Sequence, residues 1–157
     1  MRLETSRFGP LEIDDSTVIT FTHPIIGFRE FRRFVLLPGP NGAAIRWLQS
    51  CDDATLAFIL MDPRDVIDSY SVKLSDHELS ELAVSDLSKL DVYTLVVVPQ
   101  DKTQVRTNLK APIVINPKQR LAKQTIMDRA DYPVQFYLTQ AGGGAAPEEA
   151  TNARSHA

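Results

Sequence analysis

The feature that most constrains the fold of this 157-residue chain is the close spacing of its turn residues. Short runs rich in branched and aromatic side chains, such as residues 17–21 and 56–61, alternate with clusters of Gly, Pro, Asn and Asp. Such runs are typical of strands, and their frequent interruption is typical of a barrel or a sandwich. We therefore predict a mainly β fold: a small antiparallel β-barrel-like domain with one or two short helices.

Individual strands follow from the local patterns. Residues 45–49 and 56–61 predict an antiparallel hairpin whose loop is too long for a two-residue turn. Residues 92–98 are apolar except for Thr94, which indicates a strand covered on both faces. Residues 70–74 alternate between apolar and polar, which predicts a further strand. Pro112 has no amide proton to give a sheet, so it marks an edge, a bulge or a bend.

One helix is predicted from its N-terminal signature. Ser75 and Glu78 have the spacing of a capping box, in which each side chain hydrogen bonds to the other residue's amide. Leu79 and Leu82 then supply the buried stripe of a helix of about two turns. The spacing of Phe28, Phe31 and Phe34 is compatible with a second helical turn.

A single folded domain accounts for the chain up to residue 139. The apolar content of 43% and the charged content of 24% are ordinary for one globular core of this size. Residues 140–157 are rich in glycine, alanine and small polar residues, with little to bury, and they predict a disordered tail. The apolar runs, such as residues 95–99, are far shorter than the roughly 20 residues of a membrane span. With one cysteine, Cys51, and no secretory signal near the N-terminus, we expect a cytoplasmic protein with no membrane partner.

Residues that could support catalysis are scattered. The three histidines are far apart and Cys51 is alone, so no zinc-type spacing exists. No Gly-x-Ser-x-Gly motif occurs, and the acid pairs stand at strand ends, where acids commonly form turns. We therefore predict no enzyme activity, no cofactor and no metal.

Charge is unevenly distributed along the chain. Residues 52–101 contain eleven acids and three bases, whereas residues 102–139 contain seven bases and two acids. The distant segments could interleave in the fold and mix their charges, or they could leave an acidic face that repels nucleic acid and attracts a basic protein. The overall charge of −3 argues against direct nucleic acid binding. A small β-barrel module that binds a nucleic acid or a small ligand directly remains the alternative.

Several segments, in order along residues 5–138, together carry a resemblance to a known family. They are Trp47-Leu48-Gln49-Ser50, Leu56-Ala57-Phe58, Asp62-Pro63, Asp91-Val92-Tyr93, Thr107-Asn108-Leu109-Lys110-Ala111-Pro112-Ile113-Val114-Ile115-Asn116 and Lys123-Gln124. With these segments the chain resembles the FliW family of bacterial flagellar assembly factors.

The resemblance implies regulatory binding. FliW-like proteins bind CsrA, an RNA-binding translational repressor, and relieve its repression of flagellin messenger RNA. They also bind flagellin, which competes for them. The implied mechanism is non-competitive: the protein docks beside the RNA site of CsrA and brings negative charge near it. The acids of residues 52–101 would supply that field, which salt would weaken.

Seven residues are candidates for contact with such partners. Four of them flank a kinked strand whose edge could pair with a partner. They also have a structural interpretation, with the asparagines as turn formers and the proline as a bend. The candidates are Gln49, Asp62, Tyr70, Asn108, Lys110, Pro112 and Asn116.

Overall fold

The computed structural model describes residues 1–39 and 44–138. Within them the chain forms eleven strands, one α-helix and several single 3₁₀ turns. The helix α1 is Asp76–Glu81. The strands are β1 Arg2–Thr5, β2 Gly9–Glu12, β3 Ile19–Phe21, β4 Arg33–Pro38, β5 Ile45–Ser50, β6 Ala57–Met61, β7 Asp91–Val97, β8 Arg106–Thr107, β9 Ile113–Asn116, β10 Leu121–Gln124 and β11 Phe136–Tyr137.

Seven of these strands close into a barrel in the order β3-β4-β5-β6-β7-β9-β10. The predicted hairpin is β5 and β6, which pair antiparallel with Gln49 opposite Ala57. The barrel closes where β10 returns to β3, and this pair is parallel, with Leu121 opposite Thr20. The predicted β-barrel is thus confirmed, with one parallel pair among antiparallel ones.

Strand β7 has a different neighbour along each half of one edge. Its first residues, Asp91–Tyr93, pair with β9, and Val96 and Val97 pair with β8. Between β8 and β9 the chain bends, because the Asn108 Oδ1 accepts hydrogen bonds from the amides of Lys110 and Ala111. Of the edge, bulge or bend predicted from Pro112, the structure has a bend, since β9 is paired with β10 and with β7. Strand β11 extends the sheet outward from β8.

The barrel interior is built from aromatic and branched side chains. Phe34 is fully buried and contacts Phe21 and Phe58, with ring centroids 5.3 and 6.0 Å apart. Phe28 and Phe31 pack at the edge of this cluster and are linked by a turn, whereas Phe34 belongs to β4. The spacing of three phenylalanines therefore marks a turn that runs into a strand.

The prediction of a strand at residues 70–74 is wrong. Burial does alternate, since Tyr70 and Val72 are buried while Ser71 and Lys73 are exposed. However, the backbone groups of residues 72–74 form no hydrogen bond within the described residues. Alternation reports that one side of a segment is buried, whereas a strand also requires a neighbouring edge to pair with.

The predicted capping box of α1 is confirmed. The Glu78 amide donates to the Ser75 Oγ at 3.1 Å, and the Ser75 amide donates to the Glu78 Oε1 at 3.1 Å. Among the described residues no helix is long and apolar enough to traverse a bilayer. The domain end predicted at residue 139 and the tail predicted at residues 140–157 lie outside the described residues.

Candidate partner-binding groove

An open groove of about 890 Å³ lies beside α1. One wall is the irregular segment of residues 71–75 that leads into α1, and the other is the loop of residues 126–132 that follows β10. Its lining residues are Ser71, Lys73, Leu74, Ser75, Glu78, Ile126, Met127, Asp128, Arg129, Ala130, Asp131 and Tyr132.

Two tyrosines join the walls at one end of the groove. The rings of Tyr70 and Tyr132 lie 4.5 Å apart between centroids, and the Tyr132 hydroxyl accepts a hydrogen bond from the Ser71 amide. The Tyr70 hydroxyl donates to the Leu109 carbonyl at 2.6 Å. Burial, with a smaller contribution from Tyr132, raises the pKa of Tyr70 well above its usual range. The Tyr70 phenol therefore stays protonated and available as a donor.

The loop wall is held by the kinked strand behind it. The Thr125 amide donates to the Pro112 carbonyl at 3.0 Å, and the Met127 amide donates to the Lys110 carbonyl at 2.8 Å. Both Thr125 and Met127 are buried. Ile126, between them, is 52% exposed at the rim of the groove. Large apolar side chains displayed at the rim of a groove are common anchors of protein interfaces.

An ion cluster fixes α1 beside the groove. Lys123, itself 8% exposed, places its Nζ 3.2 Å from a Glu78 oxygen and 3.1 Å from a Glu81 oxygen. Burial acts to raise the pKa of Glu78, but hydrogen bonds from Thr125, Ser75 and Lys123 outweigh it and hold that pKa below its usual value. The pKa of Glu81 is also lowered, through its hydrogen bond with His23 and, against some desolvation, through Lys123.

The structure brings four of the seven candidate residues together behind the groove. Tyr70 packs against the lining residue Tyr132, and the carbonyls of Lys110 and Pro112 hold the loop wall. Asn108 supports the groove indirectly. Its side chain stabilises the bend in which those two carbonyls lie. Partner binding by these residues stays a prediction, and their observed contacts support the groove.

The other three candidates lie elsewhere. Asn116 is buried, and its Nδ2 donates to the Leu82 carbonyl at the end of α1. Gln49 is fully buried beneath the β5–β6 loop. Asp62 caps a 3₁₀ turn by accepting the Arg64 amide at 2.9 Å. Each of these contacts is structural, and none of the three residues lines the groove.

Sequence reasoning missed Ile126 and Tyr132. Isoleucine is ordinarily a core residue, so nothing in the sequence distinguishes an outward-facing Ile126. Tyr132 precedes a proline in a segment that reads as a connection. Its role depends on Tyr70, which is 62 positions away in the chain.

Some of the acids in residues 52–101 form ion pairs. Asp52 forms an ion pair with Arg33, and Glu78 and Glu81 share Lys123, so some charge mixing occurs. Other acids are exposed around the start of β7 and the 3₁₀ turns on either side of the 71–75 wall. These are Asp65, Asp68, Asp86 and Asp91. A second depression lies on the same side of the 71–75 wall as these acids. Ser71 lines both this depression and the groove, whereas Leu87 and Leu90 line the second depression alone.

Groups suited to metal binding or nucleophilic chemistry are sparse. The described residues contain no group of three or more His, Cys, Asp or Glu side chains arranged to hold a metal ion. Burial raises the pKa of the Cys51 thiol, an effect that the nearby Arg33 only partly offsets. A thiol with a raised pKa is a poor nucleophile at neutral pH.

Comparison with known proteins gives a consistent result. A family model described as FliW protein matches residues 2–138. The flagellar assembly factor FliW of Ruminiclostridium cellulolyticum is 36% identical over 139 residues, which cover 88% of this chain and 94% of that protein. The flagellar assembly factor FliW of Geobacter sulfurreducens is 34% identical over 148 residues, which cover 94% and 92%. A crystal structure of the flagellar assembly factor FliW superimposes with a TM-score of 0.80 at 30% identity, covering 87% of this chain and 96% of that one.

Proposed function

This chain belongs to the FliW family, and from that premise we propose that it is a flagellar assembly factor that works in the cytoplasm by binding proteins rather than by catalysis. It binds a CsrA-type translational regulator and relieves the repression of flagellin messenger RNA. Newly made flagellin is a second, competing partner. This competition would couple flagellin translation to flagellin export.

The main observation that supports the groove as the binding site is the exposure of Ile126 at its rim. Its neighbours in sequence are buried and hydrogen bonded to the kinked strand, so the side chain is presented on a rigid support. The opposite wall offers the backbone groups of residues 72–74, which have no partner within the described chain. An apolar anchor facing free backbone donors and acceptors suits a protein segment better than a small polar ligand.

Charge supplies the second part of the proposal. Residues 62–91, which include the 71–75 wall, contain eight acids and three bases. A partner seated in the groove would therefore have this acidic stretch beside it. Negative charge near the RNA site of a regulator disfavours phosphate binding without occupying that site.

The groove is tested by titrating CsrA from the same organism into the protein in a calorimeter. We expect a complex of defined stoichiometry, and about tenfold or greater weakening by Ile126→Asp, because a desolvated anchor is replaced by a charge. Leu87→Asp is the matched control, since Leu87 is also an exposed apolar residue, at 40%, but lies beyond the 71–75 wall. Equal weakening by both variants would remove the groove from the proposal.

The regulatory step is tested with RNA from a flagellin leader. The protein should release that RNA from CsrA in a gel-shift assay, less efficiently at high salt because acidic fields are screened. A shift of RNA by the protein alone, with no CsrA present, would favour the alternative of a nucleic-acid-binding barrel. Addition of flagellin should reverse the release, and failure to reverse it would exclude the competition.

A further inference from the structure

One wall of the groove carries a row of backbone hydrogen bonds with a gap in the middle. The Ser71 amide donates to the Tyr132 hydroxyl at 3.1 Å, and the Ser75 amide donates to the Glu78 Oε1 at 3.1 Å. Both acceptors belong to residues that line the groove. Lys73 lies midway between these two amides, and within the described residues its own amide and carbonyl have no hydrogen-bond partner.

The backbone geometry of this wall directs the free groups of Lys73 into the groove. Burial alternates from Tyr70 to Lys73, as expected of an extended segment, and Ser75 is extended as well, with φ −73° and ψ 163°. In extended backbone, the amides of every second residue point to the same edge. Because Ser71 and Ser75 both direct their amides to side chains that line the groove, Lys73 between them faces the groove too.

Three backbone groups are thus free along the groove edge of the wall. They are the Ser71 carbonyl, the Lys73 amide and the Lys73 carbonyl, none of which has a partner within the described chain. This is the pattern that one strand presents to a neighbouring strand. A segment of about three extended residues would satisfy all three groups, whereas a helix uses its own backbone groups internally and would satisfy none.

The side chains of the groove indicate what such a segment carries. Ile126 is exposed at the rim and Leu74 is half-buried in the wall, so both offer contact to apolar side chains. The groove lining has three acids against two bases, and the neighbouring residues 62–91 have eight acids against three bases. A segment with apolar and basic side chains complements these surfaces. An RNA-binding protein has such basic residues for its phosphate contacts.

We propose that the partner seated in the groove contributes an extended segment that pairs with Lys73 as an added strand, with a basic side chain near Asp128 and Asp131. This inference rests on the function proposed above, and the translational regulator is the partner that supplies the segment. On binding, residues 71–74 acquire the neighbouring edge that they lack in the free protein.

Amide hydrogen exchange of the ¹⁵N-labelled full chain, followed by NMR, tests the pairing directly. In the free protein the Lys73 amide should exchange faster than those of Ser71 and Ser75, because it alone has no acceptor. Saturation with CsrA from the same organism should slow exchange of the Lys73 amide about tenfold or more, as a new hydrogen bond forms. A Lys73 amide that stays unprotected in a formed complex would overturn the proposal.

Two substitutions at position 73 separate the backbone from the side chain. Lys73→Pro removes the amide hydrogen, which has no partner to lose within the described residues, and Lys73→Ala removes only the side chain. In calorimetry with CsrA, Lys73→Pro should bind about tenfold more weakly than Lys73→Ala, because only the proline variant loses the backbone donor. Equal affinity of the two variants would overturn the strand pairing.

The basic side chain is tested by removing the charges that it would contact. A double variant, Asp128→Asn with Asp131→Asn, should weaken the CsrA complex about threefold at low salt and have a smaller effect at high salt, where exposed charges are screened. An equal loss of affinity at both salt concentrations, or no loss at either, would overturn this part of the proposal.

The outcomes separate the added strand from the function on which it rests. If neither CsrA nor flagellin forms a complex, the proposed function fails and the added strand fails with it. If Ile126→Asp weakens a complex in which the Lys73 amide stays unprotected, the groove is retained and only the added strand is overturned. Protection of that amide by flagellin alone, or by a higher concentration of the protein without a partner, would overturn the assignment of the strand to the regulator.

Discussion

Strand β6 and the 71–75 wall both place apolar side chains in the interior, yet they are held in different ways. All five residues of β6 are buried, and the strand is paired with β5 on one edge and with β7 on the other. Within the described residues, the 71–75 wall is hydrogen bonded only near its ends, through the Tyr70 hydroxyl, the Ser71 amide and the capping box. Continuous pairing makes a rigid barrel wall, whereas end anchors leave backbone groups free for a partner.

The largest expected effect is on the free energy of unfolding, and it compares the packing of the barrel with that of the 71–75 wall. Phe34→Ala, inside the barrel, should lower the free energy of unfolding by about 3–5 kcal/mol, because it removes a fully buried ring and leaves a cavity. Leu74→Ala, in the half-buried wall, should cost about 1 kcal/mol or less. Urea denaturation of both variants measures the difference. Equal losses would mean that the wall is as much a part of the core as the barrel is.

The next effect concerns the ion cluster that joins α1 to β10. Lys123→Met should lower the free energy of unfolding by about 2–3 kcal/mol at pH 7, because Glu78 and Glu81 would keep their charges with no cation between them. Lys118→Met is the control, since Lys118 is exposed, and its effect should stay within about 0.5 kcal/mol. A small loss for Lys123→Met would show that solvent already screens the cluster.

The same cluster predicts a pH dependence. Both glutamates have lowered pKa values in the folded state, so the stability they contribute is present above the unfolded-state pKa of about 4.3 and is lost as the pH falls through the folded pKa. Stability measured from pH 7 down to pH 3 should therefore decline below about pH 4.5. Lys123→Met should flatten that decline. An unchanged decline in the variant would assign it to other carboxylates.

These regions also differ in how far the sequence predicted them. The barrel strands follow from local signals, since β7 is largely apolar and the kink before β9 is marked by Pro112. The capping box of α1 is likewise predictable from the sequence, because Ser75 and Glu78 are only three residues apart. Local chemistry determines such features, so a single sequence is sufficient to predict them.

The groove could not be predicted in the same way. The alternation of residues 70–74 predicts a strand, but whether an edge is available depends on where β9 and the loop after β10 lie. The Tyr70–Leu109 hydrogen bond joins residues 39 positions apart, and the Tyr70–Tyr132 contact spans 62. Such contacts are set by the closure of the barrel, which a single sequence does not encode locally.

A smaller effect is expected at the anchored end of the wall. Tyr70→Phe removes the hydrogen bond to the Leu109 carbonyl and leaves that acceptor unpaired, so it should cost about 1–2 kcal/mol of unfolding free energy. Because burial raises the pKa of Tyr70, the phenol stays protonated in the folded state, and the cost should be constant from pH 7 to pH 9, below the unfolded-state pKa of about 10. Urea midpoints at both pH values provide the measurement. A cost that disappears at pH 9 would mean that the phenol is accessible to solvent and ionises.

The smallest expected effect is at the other end, where the wall becomes α1. Ser75→Ala should lower the free energy of unfolding by about 1 kcal/mol, because the Glu78 amide loses its acceptor. Ser80→Ala, at an exposed position of the same helix, should be neutral or slightly stabilising because alanine is the better helix former. Glu78 also contacts Lys123 and Thr125, so the cap and the ion cluster meet at one side chain. If Ser75→Ala costs as much as Lys123→Met, the end anchor and the cluster act as one cooperative unit, and the wall is held more firmly than its unpaired backbone indicates.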